Sequence, residues 1–182
     1  MNVSLYAITV LIWGSTWLAI YFQIGDVPVN VSVFYRFALA AALLLPWMWF
    51  TGKLQKTDRS DHTFMVLQGA CLFSFNFICF YNATQYITSG LVAVVFSLAT
   101  LFNAVNNRFF WKETIPKTVL IAGVIGTTGL VLLFLPELKG KVQGSAVSLD
   151  TFKGLALAGL GTYFFSLGNM ISKRHSLKGI KP

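Results

Sequence analysis

Six long apolar runs, at about residues 4–24, 31–50, 63–87, 89–111, 117–135 and 153–172, constrain this chain more than any single motif in it. Each is close to the ~20 residues an α-helix needs to cross the hydrocarbon core of a bilayer. In lipid every backbone N–H and C=O must be paired within the protein, and a single segment can do that only as a helix. The expected fold is therefore an all-α polytopic membrane protein with six transmembrane helices. Composition agrees: of 182 residues 55% are apolar and only 11% charged, against ~25% charged in a soluble domain. That balance excludes a disordered tail, argues against a nucleic-acid partner and makes membrane lipid the expected surroundings.

The net charge of +8 lies almost wholly in the short connections, as the positive-inside bias of a multi-pass protein requires. With the amino terminus in the cytoplasm, ten Lys and Arg fall inside, from Lys53, Lys56 and Arg59 to Lys173, Arg174, Lys178 and Lys181. Lys139, Lys141 and Lys153 fall outside, and Arg36 lies within a span. The expected location is the cell inner (plasma) membrane with both ends cytoplasmic. The first run lacks a basic start and a small-residue cleavage site, so it reads as a mature span rather than a signal peptide. Gly25-Asp26-Val27-Pro28 breaks the chain after it, Thr114 and Pro116 resemble a cap and first-turn proline, and Pro136 is expected to close the fifth helix. Cys71 and Cys79 stand ~12 Å apart along one helix, beyond disulfide reach.

Polar side chains inside the spans fall on stripes. In the first span Tyr6, Thr9, Trp13, Thr16, Ile20 and Gln23 share a helical face, with Trp17 at its margin. In the third, Gln68, Cys71, Phe75, Cys79, Asn82 and Tyr86 do so; in the fourth, Phe96, Thr100, Asn103 and Asn107, with Asn106 to one side. Amides facing lipid would go unsatisfied, so these seams turn inward. Two readings stay open. The seams line a partly wet cavity, or they hold helices together through hydrogen bonds contributing ~0.6 kcal/mol each. Arg36, roughly 7–8 Å below the outer end of its span by helix rise, also has two readings. It snorkels outward along its stem, or it faces the cavity and attracts an anionic group or a carbonyl.

No catalytic constellation is legible. His62 and His175 fall in expected cytoplasmic loops, and there is no phosphate-binding glycine loop, no Cys/His metal spacing and no serine beside an embedded base. Neither an enzyme, a cofactor nor a metal site is expected. Gly154, Ala158, Gly161 and Gly168 share one side of the sixth span and Gly123, Gly126 and Thr127 cluster in the fifth, the small-residue pattern of close helix packing.

Several segments together carry a family resemblance. Leu11-Ile12-Trp13-Gly14-Ser15-Thr16-Trp17 resembles the opening of EamA-type members of the drug/metabolite transporter superfamily, and Phe34-Tyr35-Arg36-Phe37 their Arg-Phe element. Phe110-Trp111-Lys112-Glu113-Thr114-Ile115-Pro116 is similar to their fourth-to-fifth junction, and Ala122-Gly123-Val124-Ile125-Gly126 with Gly129 to their fifth span. The family's fourth-span proline is absent: Ser97-Leu98-Ala99-Thr100 stands there, so the sequence does not demand the bend a proline would impose.

The resemblance implies two inverted five-helix repeats and alternating access. On that reading residues 1–136 form the first repeat, 137–152 an external linker, and 153–182 the first helix of the second repeat with a basic cytoplasmic tail. The chain then looks like part of a longer transporter of a small organic solute, such as an amino acid or related metabolite. A second copy, or the remainder of the second repeat, would complete it. The residues expected to touch solute are Trp13, Thr16, Trp17, Arg36, Asn76, Cys79, Thr100, Asn103 and Tyr163, with Asn169 beside them and Arg36 toward the external mouth. Glu113 is expected to serve the dipole of the fifth helix. The competing function is a non-transporting membrane scaffold whose seams only pack helices.

Overall fold

The computed structural model describes residues 3–23, 25, 27–55, 57–140 and 149–180. Among them every regular element is a helix: α1 (Val3–Phe22), α2 (Val29–Phe50), α3 (Arg59–Gly69), a π-helical stretch (Ala70–Phe75), α4 (Asn76–Ala83), α5 (Ser89–Phe96), α6 (Ala99–Trp111), α7 (Lys117–Gly140) and α8 (Leu149–Leu177). α3, the π stretch and α4 form one continuous span, Arg59–Ala83, and α5 with α6 form another, Ser89–Trp111. With α1, α2 and α8 these make five helices long and apolar enough to cross a membrane, and Lys117–Leu133 adds a shorter apolar helix. The outward faces of α1 and α2 are apolar and exposed, as lipid-facing helices must be. The protein is an all-α, multi-pass membrane protein.

Local chemistry explains most boundaries. Thr88 caps α5, its Oγ1 accepting the Leu91 N–H at 3.3 Å. Pro28 precedes α2 and its carbonyl takes the N–H groups of Val31 and Ser32. Pro116 does the same for Val119 and Leu120, so it occupies the capping position, one residue earlier than expected. Pro136 does not close α7, which continues to Gly140; a proline removes one ladder bond, and membrane helices tolerate that loss. The expected linker at 137–152 thus begins inside a helix and ends inside α8, and its middle, 141–148, lies outside the described residues. His62 and His175 also lie on helices, in α3 and α8, not in loops.

The fourth span is interrupted without a proline, between α5 and α6. The Ser97 hydroxyl donates to the Val94 carbonyl at 2.6 Å, and the Leu98 N–H turns to Val95 at 3.1 Å. A side-chain hydroxyl thus takes the carbonyl that Leu98 would use in an unbroken helix, and the chain restarts as α6.

α8 is the axis of the bundle, packed most extensively on α4 and α6 and then on α3. Its pairings with the third span descend in register, Lys153 near Tyr86, Phe164 on Phe75, His175 on Gln68 and Arg174 on Asp61, so the two run antiparallel. Against α6 the pairings at its two ends ascend together, Tyr163 with Phe102 and Lys173 with Asn107, so these run parallel. Three glycines of α8 make the antiparallel contact possible. A Cβ at Gly154 would meet Ile87 at 2.8 Å, at Gly161 Phe80 at 2.8 Å, and at Gly168 Leu72 at 2.4 Å. They recur every seven residues, two helical turns, and keep one face of α8 flat.

Candidate functional site

A cavity of about 500 Å³ opens between α1, α2, the third span, α5 and α8. That size lies within the ~300–1,000 Å³ typical of small-molecule sites. α1 contributes Ile12, Trp13, Thr16, Trp17 and Ile20, two adjacent pairs and a single residue that recur every four positions, so one face of the helix looks inward. α2 contributes Arg36 and Phe37; the third span Leu72, Phe73, Asn76, Phe77 and Phe80; α5 Phe96; and α8 Phe165 and Asn169.

Aromatic rings brace one another around this space. Trp13 lies flat against Phe96, centroids 6.1 Å apart and planes within 11°, and meets Phe165 edge-on at 6.2 Å. Phe96 also takes edges from Phe80 at 5.5 Å and Phe165 at 4.9 Å, while Trp17 packs on Phe80 at 5.3 Å. Such pairs contribute ~0.5–1.5 kcal/mol each beyond their buried area. The walls are therefore apolar and built of rings in mutual contact.

Four polar side chains interrupt the rings. Thr16 spends its hydroxyl on the Ile12 carbonyl, 2.8 Å away. Asn76 accepts the Phe77 N–H at 2.7 Å, and Asn169 donates to Asn103 at 3.3 Å. Arg36 lies with its guanidinium carbon 4.8 Å from the centre of the Phe77 ring and 5.6 Å from that of Phe37. Of its two sequence readings, the cavity-facing one describes its position, since Phe77 is itself part of the wall.

Five of the nine expected site residues, Trp13, Thr16, Trp17, Arg36 and Asn76, line this cavity. The other four stand elsewhere. Cys79 is buried but is not part of the wall. Thr100 borders a separate groove between α6 and α7, with Ser97, Thr118 and Gly123. Asn103 sits behind the wall as the acceptor for Asn169, and Tyr163 packs edge-on against Phe102 at 5.9 Å. The third-span seam turns to α8 rather than to the cavity: Gln68 bonds His175 Nδ1 at 2.8 Å, Cys71 meets Gly168, and Phe75 packs on Phe164. Sequence reasoning missed Ile12, Phe37, Leu72, Phe73, Phe77, Phe80 and Phe165. They carry no polar signal, and Leu72, Phe73, Asn76, Phe77 and Phe80 form a different helical face of the third span from the Cys71, Phe75 and Cys79 stripe.

Beyond the cavity toward one end of the bundle, the basic end of α8 is tied down. Asp61, its side chain only 3% exposed, accepts from Arg174 Nη1 at 3.0 Å and Lys178 Nζ at 2.8 Å. Arg174 also lies 3.6 Å from the Phe64 ring centre. Lys173 bridges Glu113 at 2.6 Å and Asn107 at 2.9 Å, so Glu113 serves an interhelical ion pair in addition to its place near the start of α7. At the opposite end Tyr81, fully buried, donates its hydroxyl to Gln23.

Residues 1–135 match the model of the EamA-like transporter family. Among curated relatives, an uncharacterized transporter of Buchnera aphidicola subsp. Schizaphis graminum is 22% identical over 76% of this chain and 46% of its own length. The protein PagO of Salmonella typhimurium is 27% identical over 73% of this chain and 44% of its own length. The uncharacterized transporter YyaM of Bacillus subtilis is 26% identical over 86% and 48%. The chain thus spans about half the length of the curated relatives it matches. No solved structure matches it significantly. The family match takes in four of the five elements that wall the cavity, α1, α2, the third span and α5, and covers most of the sequence: the chain belongs to the EamA-like transporter family.

Proposed function

We propose that this chain works in the inner membrane, amino terminus in the cytoplasm, as a secondary transporter or the solute-binding portion of one. It would carry a small organic solute such as an amino acid or related metabolite by alternating access. The cavity is the observation that carries this reading: about 500 Å³ of space, walled by rings and touched by one guanidinium and two carboxamides. Aromatic walls supply contact area, and the few polar groups supply orientation. Residues 1–136 would act as the first repeat and α8 as the start of the second.

On this reading α8 moves against the rest. The bonds from Arg174 and Lys178 to Asp61, and from Lys173 to Glu113, close the basic end; by the positive-inside rule that end is cytoplasmic. Opening it requires the bonds to break and a bound solute to favour the alternative state by differential contact. The experiment is solute flux into proteoliposomes holding the purified chain, alone and within its longest natural reading frame, with Trp17→Ala and Asn76→Ala as variants. Flux that both substitutions lower at least tenfold supports the proposal. Flux indifferent to both, or a chain inert in either form, favours the scaffold reading.

A further inference from the structure

We infer that the cavity selects a solute bearing a single carboxylate on an apolar, ring-sized body, and that Arg36 is the group that selects it. This rests on the transporter reading and names the substrate class of the same site. Arg36 is, among the described residues, the one charged side chain in the cavity wall. Among the described residues no carboxylate lies within pairing distance of it, and its contacts are the faces of Phe77 and Phe37. A ring face leaves the edge of the guanidinium, with its fork of N–H donors, unspent.

The charge balance decides between ligand classes. A carboxylate matches the planar fork with two parallel N–H···O bonds and cancels one charge. A phosphate monoester, at roughly −1.5 to −2, would leave excess negative charge against the rings of Trp13, Trp17, Phe96 and Phe165. A cationic solute would meet Arg36 with like charge in surroundings of low polarity. A zwitterion would satisfy Arg36, but among the described residues of the wall its ammonium would find the Asn76 and Asn169 amides and ring faces and no carboxylate. The ranking is therefore carboxylate first, zwitterion second, and neutral and cationic analogues last.

Four probes of one shape test it: 3-phenylpropionate, phenylalanine, 3-phenylpropanol and 2-phenylethylamine. Their binding to the full chain is measured by calorimetry in phosphatidylcholine nanodiscs, where no net-anionic lipid headgroup competes. The expected result is 3-phenylpropionate binding ~10- to 100-fold more tightly than the alcohol, the range set by charge-assisted hydrogen bonds. Arg36→Gln abolishes that preference and Arg36→Lys keeps part of it. Equal affinity for carboxylate and alcohol, or tighter binding of the amine, overturns the proposal on the unaltered protein, whatever the variants do. The carboxylate preference without flux in proteoliposomes sinks the transporter reading and leaves the anion site standing; flux without the preference does the reverse.

Discussion

Asp61 is a buried carboxylate outside the cavity. It lies almost wholly out of solvent and receives two cations from α8. Removing one of two cations leaves the carboxylate paired, whereas removing the carboxylate leaves two like charges facing each other beside the Phe64 ring. Asp61→Asn is therefore expected to lower the thermal unfolding midpoint in detergent more than Arg174→Gln or Lys178→Gln does. Equal effects from all three would mean that the cluster is not acting as a triad. Within the cavity the same residue-scale logic puts weight on Phe80, which is 3% exposed and contacts Trp17, Phe77 and Phe96. Truncating such a buried ring typically costs ~3–5 kcal/mol, so Phe80→Ala should disturb the Trp17 fluorescence and lower stability together, whereas Phe109→Ala on the exposed face should do neither.

Among the elements, α8 depends on its glycines. The nearest heavy atom to a Cβ at Gly168 would be 2.4 Å away, while a Cβ at Gly159 meets nothing within 4 Å. Gly168→Ala should push α8 from the third span and destabilise the protein. Gly159→Ala should be neutral or stabilise by up to ~1 kcal/mol through helix propensity; chemical denaturation of the two variants in mixed micelles gives the comparison. The elements also show what could be read from residues alone. Apolar run length located every span to within about five residues, because the bilayer sets that length. The amide stripes marked side chains that need a partner but not which partner: Asn103, Asn106 and Gln68 found α8, Asn76 found the cavity. The inward phenylalanines were silent because lipid-facing and cavity-facing rings look alike in sequence. The Ser97 break rests on a side-chain hydroxyl bonding the Val94 carbonyl and the π stretch on backbone bonds, and neither run length nor the polar stripes signal them.

For the whole molecule, the two ends of the bundle are chemically unlike. One carries Asp61, Glu113, Lys173, Arg174 and Lys178; the other carries Gln23, Tyr81 and the Asp150–Lys153 pair. If the basic end is cytoplasmic, a single cysteine at Ser176 should be modified by an impermeant reagent only after the membrane is opened, and one at Gln85 in intact cells. The reverse pattern would invert the orientation.

The central claim is that the faces of α1, the third span and α8 enclose a hollow that water and solute can enter. Cysteine accessibility tests it most directly. In a protein freed of Cys71 and Cys79, Thr16→Cys and Asn169→Cys should react with a small charged thiosulfonate reagent, and an excess of 3-phenylpropionate should slow the reaction. Leu43→Cys, on the exposed apolar face of α2, should stay unmodified. Thr16→Cys and Asn169→Cys as unreactive as Leu43→Cys would show a dry contact between helices, and the account would fail.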